Sequence, residues 1–84
     1  MEIKTINDWF SVDQELTRQI RGVGYNSDLA KMKHNLDNMI SELSKSEVEA
    51  RRTKNSRYIQ PRIDEINKTI ESLEMWILML VLER

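Results

Sequence analysis

The sequence contains no cysteine, one proline and two glycines among its 84 residues. Without cysteine the chain can form neither a disulfide framework nor a thiolate metal site, so neither can add stability to a small core. Helix-breaking residues are scarce, and no run of alternating β-branched residues extends beyond a few positions, so nothing predicts a strand. The sequence therefore predicts an all-α protein.

An excess of charge of one sign is also missing. The chain carries 13 Lys and Arg residues against 14 Asp and Glu residues, which argues against a general polyanion binder. The longest apolar run is the eight residues 75–82, far below the roughly 20 that span a bilayer. The first residues show no basic segment followed by an apolar core. We therefore expect no membrane span, no secretory signal and a cytoplasmic location.

Recognisable catalytic motifs are absent from the sequence. There is no GxSxG, no glycine-rich phosphate loop and no set of acid, histidine and nucleophile. His34 is the only histidine, and the acidic pairs Asp64 with Glu65 and Glu71 with Glu74 are typical of a solvated helix surface. The sequence predicts no catalytic residue, no metal ligand and no cofactor, and hence a protein that is not an enzyme.

Apolar spacing and end signals predict three helices. Ser11 with Gln14 three residues later forms a capping box for the first helix, and glycines at 22 and 24 end it. Asn26 or Ser27 is expected to cap the second helix, and Pro61 belongs in the first turn of the third. The predicted single all-helical domain covers 1–84, with a short helix over 11–21 and long helices over 27–52 and 58–83.

The last helix carries an apolar seam. Isoleucine or leucine recurs at positions 59, 63, 66, 70, 73, 77 and 80, in alternating steps of four and three. This spacing is typical of a helix that packs on another helix. A second apolar stripe over 29–43 is its natural partner, so we expect a long antiparallel helical hairpin. Trp9 and Phe10 are expected to fold back onto its core.

Residues 75–82 make the end of this helix apolar on every side, and such a helix must be buried on every side. One antiparallel partner covers only about one face. We therefore expect a homo-oligomer or an obligate protein partner, assembled as a helical bundle, and a protein that acts by binding or sequestering that partner. The predicted interface residues are Ile70, Leu73, Met75, Trp76, Ile77, Met79, Leu80 and Val81.

Basic residues cluster between the two long helices and beside the glycine turn. Arg51, Arg52, Lys54, Arg57 and Arg62 fall within twelve residues that contain no acid. The cluster can hold phosphates, with Tyr58 stacking on a base. In the favoured alternative Arg51 and Arg52 complement the negative end of the second helix and pair with Glu47 and Glu49 one turn back, and nucleic acid is then not the preferred partner. The candidate anion or ligand contacts are Arg21, Tyr25, Lys31, Lys33, Arg51, Arg52, Arg57 and Tyr58.

The segment Lys68–Trp76 resembles part of the last helix of the phage cyclic-dinucleotide sponges that counter CBASS immunity. Ile70, Glu71, Met75 and Trp76 carry the resemblance, which covers about a tenth of the chain and ends after Trp76. It implies a short helix followed by a hairpin, a compact oligomer, and a protein of a phage or mobile element that sequesters a cyclic dinucleotide without cleaving it.

The same resemblance implies that Tyr25, Lys31 and Lys33 contact the nucleotide. The hairpin layout is also similar to that of the small helper chaperones of type III secretion, which hold a partner against premature assembly. That similarity rests on architecture alone, and it implies a protein partner rather than a small ligand.

Overall fold

A computed structural model describes residues 1–24 and 26–83, and within these residues the chain forms helices and no strand. One turn of 3-10 helix, Ile6–Asp8, leads into α1 (Trp9–Val23), which is followed by α2 (Ser27–Thr53) and α3 (Ile59–Leu82). The contacts between α2 and α3 are those of an antiparallel hairpin. The predicted all-α class and hairpin are therefore confirmed. None of the described helices is long and apolar enough to cross a membrane.

The first helix begins earlier than the sequence predicts. The Asp8 carboxylate accepts hydrogen bonds from the backbone N–H groups of Lys4 at 2.8 Å and Thr5 at 3.1 Å. These bonds favour the charged carboxylate and lower the pKa of Asp8. They also close the turn that leads directly into Trp9, so Ser11 lies inside α1 and its predicted capping role is wrong.

The two long helices are bounded by local hydrogen bonds. The side-chain oxygen of Asn26 accepts from the N–H groups of Asp28 at 2.9 Å and Leu29 at 3.1 Å, so Asn26 is the cap of α2. At the other end Lys54 adopts a left-handed backbone conformation with φ of 58°, which stops the helix. The Asn55 side chain then accepts the Arg57 N–H at 3.1 Å and closes the turn into α3.

The core lies along the seam of α3. Thr69 of α3 contacts the Met39 sulfur of α2 at 3.5 Å, so these two residues lie opposite each other in the antiparallel hairpin. α1 supplies two further buried residues, and the extended segment before the 3-10 turn supplies one. The buried apolar residues are Ile3, Val12, Leu16, Leu29, Leu36, Ile40, Leu43, Ile63, Ile66, Ile70, Leu73 and Ile77.

Asn67 ties the amino-terminal segment to α3. Its side-chain oxygen accepts the Ile3 N–H at 2.7 Å, and its side-chain nitrogen donates to the Ile3 carbonyl at 2.9 Å. One amide side chain therefore satisfies both backbone groups of Ile3, as a neighbouring β-strand would. The Ile3 side chain is only 1% exposed, so this contact completes the core.

The two aromatic residues that open α1 differ in their surroundings. Trp9 is partly buried and packs against the core, as expected. Phe10 is 69% exposed, and the prediction that it folds back onto the core is wrong. The inward positions of α1 follow the spacing Trp9, Val12 and Leu16, so the next residue along the helix, Phe10, points about 100° away from them.

We expect Asn67→Ala to lower the free energy of unfolding by about 2 kcal/mol, because two hydrogen bonds are lost and the Ile3 backbone groups are left without these partners. Urea denaturation checks this value. Asn35→Ala, at an exposed position of α2, is the matched control and should change the stability little. Equal stability of the two variants would contradict the role given to Asn67.

Candidate functional site

Large apolar side chains remain exposed along the last two turns of α3. Their exposed fractions range from 42% to 75%, although α3 also contributes most to the buried core. Residues three, four and seven apart lie on the same side of a helix, so several of these side chains form one strip. We call this surface the apolar face; its residues are Met75, Trp76, Leu78, Met79, Val81 and Leu82.

The predicted interface residues fall into two groups in the structure. Ile70, Leu73 and Ile77 are at most 5% exposed and form part of the chain's own core, against which Leu80 packs. The other group belongs to the apolar face and consists of Met75, Trp76, Met79 and Val81. Leu78 and Leu82 join this second group, although the sequence analysis did not name them. Their place in the apolar run 75–82 was the available signal.

The apolar face is large enough to hold a partner. Its six side chains leave on the order of 500 Å² open to water, a size at which such patches are often functional. Joining two such faces would remove about 1,000 Å², near the smallest area that a specific interface between proteins buries. An association through this face alone should therefore depend on protein concentration.

Charge borders the apolar face but does not enter it. Residues 75–82 include no charged side chain, whereas Glu71 and Glu83 stand one turn before the face and directly after it. Both of these carboxylates are exposed. A partner can therefore cover the strip without removing either carboxylate from water, and burying a charge without a partner is costly.

The candidate ligand contacts beside the glycine turn are not equivalent. Arg21 and Lys31 are exposed, whereas the Lys33 side chain is only 16% exposed. Its ammonium group lies 2.5 Å from the Asp13 carboxylate and 2.7 Å from that of Asp37, and 5.3 Å from the centre of the Trp9 ring. Lys33 thus joins α1 to α2. Tyr25, the remaining candidate here, lies outside the described residues.

The ion pairs raise the pKa of Lys33. Partial burial alone would lower it, but the hydrogen bonds to Asp13 and Asp37 outweigh burial and favour the protonated amine. A raised pKa means that the stabilisation is fully present below the ordinary value of 10.5. The stabilisation is lost only as the pH rises through the raised pKa that Lys33 has in the folded protein.

The candidate contacts at the other end of the hairpin are all exposed. Arg51, Arg52 and Arg57 face solvent, and Tyr58 is 61% exposed. The favoured prediction paired the first two arginines with Glu47 and Glu49. Both arginines lie in the last turn of α2, as predicted, but no ion pair joins them to either glutamate in the part of the chain that the structure describes, so the predicted pairing is wrong. Each side chain is free to extend into water, where such pairs gain little.

Other titratable candidates are spread over the surface. His34 is exposed on α2, and Asp64, Glu71 and Glu74 line one shallow groove beside Met1, where Glu74 accepts a hydrogen bond from the amino-terminal ammonium group at 3.0 Å. Among residues 1–24 and 26–83, no three histidine, aspartate or glutamate side chains come together as a group that could hold a metal ion.

Comparison of the chain with models of protein families, with curated proteins and with solved structures finds no match.

We expect Lys33→Met to lower the free energy of unfolding by about 1 kcal/mol at neutral pH, because Asp13 and Asp37 lose a shared cation and Asp13 is partly buried. Lys31→Met, on an exposed position of the same helix, is the control. The difference in the free energy of unfolding between the two variants should shrink as the pH is raised above 10.5. A difference that grows with pH would contradict this account.

Proposed function

We propose that this chain is a non-enzymatic helical binding protein that self-associates through the apolar face and works by binding or sequestering a partner. The observation that carries the proposal is the exposure of six large apolar side chains on the last two turns of α3. Each turn of exposed apolar surface costs free energy in water, and contact with another apolar surface recovers it.

A second copy of the chain suits this face for two reasons. A two-fold arrangement places the strip against an identical strip, which is the commonest form of soluble oligomer. Because residues 75–82 carry no charge, the contact would bury no ion without a partner. Pairing would cover part of the outer side of α3 that the chain's own core leaves in water.

The hairpin itself does not depend on the contact. Ile70, Leu73 and Ile77 are already buried in the single chain, so the inward side of α3 stays packed whether or not its outer side is covered. Substitutions on the apolar face should therefore change association without unfolding the chain. This separation makes the proposal testable.

The test is the mass of the native protein by size-exclusion chromatography with light scattering over a series of concentrations. The unsubstituted chain should change from one copy to two as its concentration rises. The double variant Met79→Lys with Leu82→Lys should remain a single copy, because each partner would have to bury unpaired lysines.

The matched control is Phe10→Lys with Val48→Lys. These apolar residues are 69% and 61% exposed but lie outside the apolar face, so the mass should follow that of the unsubstituted chain. A single copy at every concentration of the unsubstituted chain would overturn the proposal of self-association. An association that only the control substitutions abolish would place the contact elsewhere.

The resemblance to the sponge family supports a second proposal, the binding of a cyclic dinucleotide. Arg21 and Lys31 are exposed and available to phosphates, whereas Lys33 would first have to leave two carboxylates. A ligand that binds the folded chain raises its melting temperature. The absence of any shift at millimolar cyclic dinucleotide would remove this proposal and leave the first one standing.

A further inference from the structure

The turn between α2 and α3 is the most basic part of the described surface. Its cations are Arg51, Arg52, Lys54, Arg57 and Arg62, and all five are exposed. We call this surface the basic tip. In the described chain the ion pairs of lysine and arginine involve Arg18, Lys33 and Lys45, and none of the five tip cations. No carboxylate of the described residues therefore pairs with a tip cation, although Glu47 lines a groove with Arg51, and Glu42 and Glu65 line one with Arg62.

We propose that the basic tip binds the sugar-phosphate backbone of single-stranded nucleic acid. Four of its five cations are arginines, whose planar guanidinium groups donate two parallel hydrogen bonds to phosphate and also stack on bases. For a surface that only attracted counterions, lysine would serve as well as arginine.

Tyr58 supplies the feature that favours a single strand over a duplex. Its side chain is 61% exposed, and it lines a shallow groove together with Arg62, Asn55 and Glu49. An exposed aromatic ring beside a guanidinium group is a stacking platform for an unpaired base. Glu49 also lines the groove, so we place the phosphates beside the arginines rather than beside this carboxylate.

The basic tip and the apolar face lie at opposite ends of an elongated molecule. The chain extends over 50 Å in its longest direction, and α3 runs from the tip at Ile59 to the apolar face at Leu82. The two surfaces can therefore be occupied at the same time. The inference does not rest on self-association, although two joined chains would carry two tips and bind a long strand more tightly.

The test is fluorescence anisotropy of a labelled single-stranded RNA with the full chain, over a series of salt concentrations. If the five cations each neutralise one phosphate, the logarithm of affinity should fall with the logarithm of salt with a slope of about −3.5. That slope corresponds to a loss of roughly one hundredfold between about 50 and 200 mM salt. A labelled duplex of the same length should bind more weakly.

Two triple variants with the same loss of charge locate the site. Arg51→Ala with Arg52→Ala and Arg57→Ala should reduce the slope by about 2 and weaken binding strongly at low salt. Arg18→Ala with Lys45→Ala and Lys68→Ala removes three exposed cations outside the tip and should leave the slope nearly unchanged. Circular dichroism should show the same helix content for both, since every substituted position is exposed.

Tyr58→Ala should weaken single-strand binding, and Tyr58→Phe should restore it, because the ring rather than the hydroxyl group stacks. Failure to bind RNA at low salt would overturn the inference, and so would equal losses in the two triple variants. Binding of polyglutamate as tight as that of RNA would also overturn it, in favour of an acidic protein partner.

Discussion

The structure depends on how the apolar surface of α3 is covered. A helix can turn only one side toward a given neighbour, and the seam of α3 uses that side against α2, α1 and the segment around Ile3. These neighbours bury Ile70, Leu73 and Ile77 but leave the other side of the last two turns in water. The same helix therefore holds the chain together and carries the exposed apolar surface that we propose as the contact with a partner. The proposed function follows from this division rather than from any catalytic residue.

The sequence predicted most of the fold because its signals are local or periodic. The steps of four and three in α3 define the inward side, and the short polar side chain of Asn26 caps α2 wherever the rest of the chain lies. The contact of Asn67 with Ile3 could not be predicted, because 64 residues separate the two and no periodic pattern connects them. The start of α1 was misplaced for a related reason, since the Asp8 carboxylate binds amides upstream of the helix rather than within it.

Only part of the candidate site could be predicted from the sequence. Composition located the apolar excess at residues 75–82, but the predicted interface mixed seam residues with residues of the outer side, and it omitted Leu78 and Leu82. At the basic tip, spacing suggested ion pairs that the structure does not contain, although comparable exposed pairs form at Arg18 and Lys45; spacing on a helix permits such a pair without requiring it, because the pair gains little in water. For Lys33 the reverse holds. Its sequence position suggested a ligand contact, whereas its surroundings show an internal link between α1 and α2.

The described molecule is a rod with an apolar end and a basic end, joined by α2 and α3. We propose that a second chain covers the apolar face. Trp76 reports on this contact directly, because it is 42% exposed in the single copy. With Trp9 replaced by phenylalanine, Trp76 is the only fluorescent indole. We expect the fluorescence emission of Trp76 to move to shorter wavelength as the protein concentration rises and the mass doubles. Emission typical of an exposed indole at concentrations where the protein is a dimer would contradict it.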